Sequence, residues 1–149
     1  MNTISKLNET DFTRAYQIET QSHAFPWTEN VFRSNQGERY LNYKIEENGQ
    51  IAGFCIINMI VDEATLFNIA VAPNFQRQGL AKQLLTFVLD ELTQRKMTTC
   101  WLEVRASNQA AIKLYEQVGF NQISVRPNYY PAANHQREDA IIMANMLNF

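Results

Sequence analysis

The feature that most constrains the fold is a helical stripe between two strand-like segments near the middle of the chain. Over 79–95 the apolar residues recur at the 3.6-residue period of an amphipathic helix. They are Leu80, Leu84, Leu85, Phe87, Val88 and Leu92. A β-rich segment, 65–71, precedes this helix, and 98–105 alternates between apolar and polar residues after it. Strands that alternate with helices in this way predict an α/β or α+β fold with a mixed sheet.

The flanking segments extend this pattern in both directions. Helices are predicted over 8–22, from Thr28 to just before Gly37, and from 107 to Gly119. Further strands are predicted over 40–46, 51–61, 120–126 and 139–146, with an aromatic loop over 127–137 between the last two. The run 51–61 is almost continuously apolar, which indicates a strand buried on both faces. We therefore expect about six to seven strands flanked by about four helices.

Length, charge and cysteine usage narrow the class of protein. The 149 residues predict a single domain, 1–149. The formal net charge of −2 argues against a direct nucleic-acid partner, and the absence of a long apolar run argues against a membrane partner. Cys55 and Cys100 lie in apolar runs without metal-ligand spacing, so we expect buried thiols, no metal and a cytoplasmic protein. We also expect a monomer.

A first candidate site lies at the start of the central helix. Five glycines are too few and too scattered for a GxGxxG or Walker loop. Gly79, however, follows Arg77 at a helix start, where unsatisfied backbone N–H groups and the helix dipole suit a phosphate. Lys82 adds positive charge. An ordinary strand-to-helix turn with a solvated arginine explains the same residues, and the spacing alone leaves both interpretations open.

A second candidate site joins Glu103 to Tyr115. Glu103 lies on the strand face opposite Cys100, Leu102 and Val104, and a short loop leads to the helix that carries Tyr115. A carboxylate and a phenol that face one cleft can serve as general base and general acid. A surface glutamate and a core tyrosine are the simpler alternative. Asn108 is most simply the N-cap of the second helix.

A third candidate site is a set of aromatic residues in two proline-bearing loops. They are Phe25, Trp27, Tyr129 and Tyr130. Aromatic side chains on loops often line recognition sites, although they also anchor loops to a core.

These pieces together resemble the GNAT N-acetyltransferases. Gln76-x-x-Gly79-x-Ala81 is similar to the Q/R-x-x-G-x-G/A motif of that family, with alanine at a position where glycine is common. The segment from Asn108 through Tyr115 to Phe120 resembles the second half of the family's cofactor site. Five further segments, 23–27, 35–40, 62–71, 101–108 and 126–131, are similar to members that acetylate the N-terminal alanine of a small-subunit ribosomal protein.

The resemblance implies a GNAT fold, acetyl-CoA as acyl donor, no metal, and a role for each matching residue. Glu103 is the implied base and Tyr115 the implied acid. The implied acetyl-CoA contacts are Ile69, Ala70, Val71, Arg77, Gln78, Gly79, Leu80, Ala81, Lys82 and Asn108. The implied partner is the cationic N-terminus of a small-subunit ribosomal protein. Our candidates for holding it, from loop placement and charge, are Glu103, Phe25, Trp27, Tyr130 and Asp139.

Two other functions stay open at this point. One is acetylation of a different amine, such as a polyamine, an aminoglycoside or a lysine side chain. The other is a non-catalytic acyl-CoA-binding module on the same fold, since a fold does not fix a function. The presence of both Glu103 and Tyr115 favours catalysis.

Overall fold

The computed structural model describes residues 2–148, whose strands form one mixed seven-stranded sheet. The strands are β1 (Asn2–Lys6), β2 (Tyr43–Glu47), β3 (Gln50–Ile60), β4 (Glu63–Val71), β5 (Thr99–Arg105), β6 (Asn121–Pro131) and β7 (Arg137–Met146). The helices are α1 (Phe12–Ser22), α2 (Glu29–Ser34), α3 (Leu80–Gln94) and α4 (Gln109–Gln117). The sheet order is β1-β2-β3-β4-β5-β7-β6, and only β4 and β5 pair in parallel. The predicted mixed α/β architecture is confirmed.

Both faces of the sheet are covered by helices, which explains the long apolar run in β3. Cys55 and Ile57 pack in the core that lies under α3 and α4. Phe54 and Ile56 pack in a second core under α1 and α2, where the ring of Phe32 meets Phe54 edge-on at 5.2 Å. Side chains of a strand alternate between its faces, so a strand covered on both sides needs apolar residues at every position.

One strand was missed and one predicted loop is wrong in part, and both concern edge strands. β1 was not predicted, because Ile4 is the only apolar residue of its five and an edge strand shows little alternation. The loop predicted over 127–137 is wrong in its first half, since β6 continues to Pro131 and β7 begins at Arg137. The register shifts between Arg126 and Tyr130, and this bulge takes up Pro127, which an edge strand tolerates.

Smaller differences occur at element ends. The helix predicted from residue 8 begins as a 3-10 turn, Glu9–Asp11, before α1 starts at Phe12. The strand predicted from residue 40 begins at Tyr43, although Tyr40 forms an isolated bridge with Asn58.

The opening in the sheet lies between β4 and β5. The two strands pair from Glu63 opposite Thr99 only as far as Leu66 opposite Leu102. Phe67 is an extra residue in the ladder with β3, because Ile56 pairs with Asn68 while Ile57 pairs with Leu66. Such a bulge bends its strand. The C-terminal half of β4 therefore separates from β5 and leaves a cleft between them.

Candidate active site

The cleft has a volume of about 480 Å³ and brings together residues that range from Glu19 to Glu138 in the sequence. Seven of the side chains that the sequence singled out line it: Phe25, Trp27, Ile69, Glu103, Asn108, Tyr115 and Tyr130. Lining residues that the sequence did not single out include Glu19, His23, Asn68, Arg105 and Glu138. The two candidate catalytic side chains and most of the candidate aromatic residues thus share one cavity.

Glu103 lies on β5 just beyond the last residue that pairs with β4. Its neighbours Leu102 and Val104 face the core, so the alternation of the strand turns the Glu103 carboxylate toward the cleft. One carboxylate oxygen lies 3.7 Å from a guanidinium nitrogen of Arg126, whose side chain is 54% exposed. An exposed ion pair of this kind is weak. The carboxylate is therefore available to accept a proton from a ligand in the cleft.

Tyr115 is both a core residue and a cleft residue. Its ring packs edge-on against Phe120, with the centroids 5.9 Å apart, and the residue is only 7% exposed. Among residues 2–148 every fully buried side-chain oxygen or nitrogen has a hydrogen-bond partner. The Tyr115 hydroxyl has none, so it is not fully buried. The hydroxyl therefore reaches the cavity surface. Burial, followed by the proximity of Tyr130, raises the pKa of Tyr115, so the phenol is a neutral proton donor.

The backbone of β4 offers hydrogen-bond donors to the same cleft. Ala72 donates its N–H to the carbonyl of Ala52 at 2.7 Å. Val71 and Gly53, which lie opposite each other, are therefore a non-hydrogen-bonded pair of the antiparallel ladder. Backbone bonds alternate along an antiparallel ladder. The N–H groups of Ile69 and Val71 consequently point away from β3, toward the side that β5 has left.

The Val71 carbonyl and the backbone groups of Ala70 are occupied. The Val71 carbonyl accepts from the Ser22 hydroxyl at 3.1 Å and from the Gln76 side-chain amide at 2.9 Å. Ala70 lies between the two open positions and faces Phe54 of β3, so its backbone groups take part in the ladder. Of the three β4 residues named from the sequence, Ile69 lines the cleft, and the N–H of Val71 points away from β3 on the same side.

The start of α3 adjoins this end of β4. Gly79 is the N-cap residue with φ of +77°, a conformation that favours glycine. A Cβ placed there would meet nothing within 4 Å, so the approach to the backbone is open. Arg77, Gln78 and Lys82 are exposed around it. These residues do not line the 480 Å³ cleft but follow β4 along the chain. We call Ile69, Val71 and 77–82 the α3 side.

Asn108 connects the α3 side to α4. Its side-chain oxygen accepts from the N–H of Ala111 at 3.2 Å, which confirms the predicted N-cap, and the residue also lines the cleft. Leu80 is buried in the core and Ala81 is half-buried, so these two contribute to the helix start through their backbone.

The opposite wall of the cleft is built from side chains. We call 23–27, Arg105 and Tyr130 the aromatic side. Trp27 packs edge-on against Phe32 and also lines the cavity, while Phe25 is 47% exposed. Burial, followed by the charge of Glu103, raises the pKa of Tyr130 to about 12.

Asp139, in contrast, does not line the cleft. Its carboxylate accepts the N–H of Asn128 at 3.0 Å, so it stabilises the bulge of β6, and the neighbouring Glu138 faces the cavity instead. Tyr129 likewise turns outward against Arg126, with 5.3 Å from the guanidinium to the ring centroid.

Glu19 is a buried carboxylate that the sequence reasoning missed. It accepts the N–H of Trp27 at 2.9 Å and the amide of Asn68 at 2.8 Å, and His23 lies 3.5 Å away. Glu19 is 1% exposed and shares the buried face of α1 with Phe12. A charged residue at a core position of an amphipathic helix is the signal that could have identified it. It joins the aromatic side to the bulge of β4.

The cysteines are placed as predicted. Cys55 and Cys100 are free and buried, and burial raises the pKa of each thiol to about 12. Neither lines the cleft.

Two features are absent from the described part of the chain. No group of three or more His, Cys, Asp or Glu side chains among residues 2–148 is arranged to hold a metal ion. No helix in that range is long and apolar enough to cross a membrane.

Comparison with known families identifies the class of protein. The model of the Acetyltransferase (GNAT) family matches residues 1–120. The chain belongs to this family, which confirms the resemblance seen in the motifs and the predicted GNAT fold.

Two relatives from different organisms have the same protein name. The chain is 60% identical over 144 residues to "[Ribosomal protein bS18]-alanine N-acetyltransferase" of Escherichia coli (strain K12), covering 97% of both chains. It is 49% identical over 144 residues to the protein of the same name from Haemophilus influenzae, covering 97% of this chain and 98% of the relative. The crystal structure of the ribosomal-protein-S18-alanine N-acetyltransferase from Escherichia coli superimposes with a TM-score of 0.97 at 58% identity, covering 100% of this chain and 96% of that one.

Proposed function

We propose that this chain transfers the acetyl group of acetyl-CoA to the N-terminal alanine of ribosomal protein bS18. The observation that carries the proposal is the cleft itself, where a carboxylate, a neutral phenol and open backbone N–H groups meet at the separation of β4 from β5. The 60% identity with the Escherichia coli enzyme supports the choice of substrate.

The α3 side suits the acyl donor. Acetyl-CoA supplies a thioester carbonyl and a pyrophosphate. The open approach at Gly79, with Arg77 and Lys82 beside it, fits a pyrophosphate at the start of α3. The N–H groups of Ile69 and Val71 fit the pantetheine arm and the acetyl carbonyl, and Asn108 adds a side-chain contact.

The acid–base steps fall to Glu103 and Tyr115. A peptide α-amine has a pKa of about 7.7–8.0, so much of it is protonated at neutral pH and cannot attack. Glu103 takes a proton from this ammonium group, directly or through water. The N–H of Val71 donates to the carbonyl oxygen as negative charge develops there. The amine nitrogen forms a bond to the carbonyl carbon, the carbon–sulfur bond breaks, and the Tyr115 hydroxyl gives its proton to the departing thiolate. Tyr115 regains a proton when the new amide nitrogen releases its second one.

The transfer is proposed to be direct, without an acetyl-cysteine intermediate. Both thiols are buried away from the cleft, and their raised pKa disfavours the nucleophilic thiolate. Mixing the protein with acetyl-CoA alone should therefore yield no acetylated cysteine peptide. Capture of such a peptide would contradict direct attack.

The acceptor is proposed to bind on the aromatic side. Phe25, Trp27 and Tyr130 form apolar walls, and Glu103 carries the negative charge that a cationic amine requires. Asp139 contributes indirectly, through the bulge of β6. We further propose that residues 1–149 form a single domain, supported by the single sheet, and act as a cytoplasmic monomer. With a net charge of −2 they need no direct contact with nucleic acid or membrane.

The experiment that tests this function uses a peptide with the first residues of bS18, beginning with alanine and containing an internal lysine. Incubation with acetyl-CoA should add one acetyl group, which fragmentation in the mass spectrometer should locate on the α-amine. A matched peptide with a blocked N-terminus should stay unmodified. Acetylation of the lysine in the blocked peptide would support a different amine substrate. No acetylation of any peptide would support the non-catalytic alternative.

A further inference from the structure

Arg105 lies between two aromatic rings at the mouth of the cleft. The centre of its guanidinium group is 4.5 Å from the centroid of Phe25 and 4.5 Å from the centroid of Tyr130. Phe25 belongs to the segment between α1 and α2, and Tyr130 belongs to β6. A guanidinium group stacks well on aromatic faces, and each such contact is attractive. Arg105 thus joins two segments that are far apart in the sequence.

The edge of the same guanidinium group is fixed by hydrogen bonds. It donates to the carbonyl of Pro131 at 2.7 Å and to the carboxylate of Glu138 at 3.0 Å. Glu138 also accepts the N–H of Ser107 at 3.2 Å, at the turn before α4. Hydrogen bonding from Ser107, followed by Arg105, lowers the pKa of Glu138, so the ion pair persists at neutral pH. The faces of the guanidinium are therefore held in place for the two rings.

Phe25 has few other attachments. It belongs to neither of the two apolar cores, and among the described residues Arg105 is the only cation or aromatic residue whose charged group or ring contacts it. Its neighbour Trp27 is tied down by the bond to Glu19, so the chain on one side of Phe25 is anchored while the ring itself depends on Arg105. Loss of the guanidinium would free Phe25 from Tyr130.

We propose that Arg105 is a positioning residue for the acceptor, which clamps Phe25 against Tyr130 and so preforms the aromatic side of the cleft. The proposal rests on the function proposed above. Because Arg105 acts through the two rings, it contributes to binding of the acceptor peptide and leaves the α3 side unchanged.

The kinetic test compares Arg105→Gln with Arg105→Lys. Loss of two cation–π contacts should raise the KM for the peptide about tenfold in Arg105→Gln, with kcat and the KM for acetyl-CoA within about twofold of wild type. Arg105→Lys keeps the charge but loses the planar face, so its peptide KM should lie between those of the wild type and Arg105→Gln. An unchanged or lower peptide KM in Arg105→Gln, as expected if Arg105 obstructed the entrance, would overturn the proposal.

Arg33→Gln is the matched control. Arg33 also combines an ion pair, at 2.8 Å to Glu29, with a cation–π contact, at 5.9 Å to Phe12, but it lies on α2 outside the cleft. Its removal should leave both KM values unchanged. A rise in peptide KM equal to that of Arg105→Gln would show a general loss of stability and would count against the clamp.

Hydrogen exchange of the free protein tests the clamp without any substrate. In Arg105→Gln the amides of 23–26 and 128–131 should exchange faster together, while Arg33→Gln should leave both segments as in the wild type. Unchanged exchange in both segments would overturn the clamp. If the wild type fails to acetylate the alanine peptide, the proposed function fails, and the exchange data still decide whether Arg105 holds the two segments.

Discussion

The two sides of the cleft are built by different means. The α3 side consists of backbone N–H groups at the end of β4 and the start of α3, with exposed cations around Gly79. The aromatic side consists of side chains from three separate segments, held together by Glu19 and Arg105. Backbone donors bind any phosphate or carbonyl that fits, whereas packed side chains select one acceptor shape. Binding of acetyl-CoA is therefore expected to depend on backbone conformation, and binding of the acceptor is expected to depend on side-chain identity.

The largest expected effect concerns the residue where the two sides meet. Glu103→Gln should lower kcat for peptide acetylation by about 10²–10⁴-fold, the usual contribution of a general base, because the amide cannot accept the proton. The KM for acetyl-CoA should change little, while the peptide KM should rise because the negative charge opposite the cationic amine is lost. Glu63→Gln is the control, since Glu63 lies at the paired end of β4 and bonds to Trp101 at 3.0 Å. A full rate in Glu103→Gln across the pH range would remove Glu103 as the base.

The pH profile should separate the two sides next. Below the amine pKa of about 7.7–8.0, kcat/KM for the peptide should fall about tenfold per pH unit, because the proton that Glu103 takes from the ammonium group passes to solvent before the neutral amine attacks. The KM for acetyl-CoA should stay flat between pH 7 and 9, since backbone N–H and guanidinium groups do not titrate there.

Tyr115 sets the alkaline end of the same profile. Its pKa is raised, so its protonated form is retained past the ordinary value of about 10, and the rate should reach a plateau without a descending limb below that pH. Initial rates with saturating acetyl-CoA provide the measurement. A descending limb near pH 9 that is absent in Tyr115→Phe would show that Tyr115 titrates lower than its burial implies.

A glycine pair tests the α3 side alone. Gly79→Ala should raise the KM for acetyl-CoA on the order of tenfold, because a Cβ would enter the open approach and φ of +77° disfavours it. Gly49→Ala is an unusually close control: Gly49 has φ of +82° and equally open space, but it lies at the turn between β2 and β3. Both variants should lose similar stability, while only Gly79→Ala should weaken acetyl-CoA. Equal KM values in the two variants would contradict a phosphate site at Gly79.

The smallest expected effect concerns the support of the aromatic side. In Glu19→Gln an amide group replaces an oxygen that faces only donors, so the free energy of unfolding in urea should fall by about 1–3 kcal/mol. The peptide KM should rise about threefold through the displaced Trp27, and the acetyl-CoA KM should not change. Exposed Glu116 provides the control variant, Glu116→Gln, on α4. Equal loss of stability in both variants would show that the hydrogen bonds from Trp27 and Asn68 to Glu19 do not stabilise the fold.

The same contrast explains what the sequence could predict. The start of α3 depends on one short segment with a glycine, so it was predicted correctly, as was the cap of α4 at Asn108. The aromatic side depends on distant segments that meet only after folding, so the roles of Arg105 and Glu19 were missed. For the same reason Asp139 was predicted to line the cleft, whereas the neighbouring Glu138 does so.

The fold shows a similar limit. Buried elements such as β3 and α3 carry strong periodic patterns, and their positions were predicted closely. β1 and the second half of β6 lie at the two edges of the sheet. An edge strand buries little apolar surface and tolerates a proline, so its sequence resembles a loop.

The measurement that tests the division of the cleft most directly is a pair of NMR titrations on the amides of the wild-type protein. Coenzyme A alone should shift Ile69, Val71 and 77–82, and the alanine peptide alone should shift 23–27, Arg105 and Tyr130. Glu103 and Tyr115 should respond to both ligands. If both ligands instead shift the same set of amides on one side of the cleft, the account of two separately built sides is contradicted.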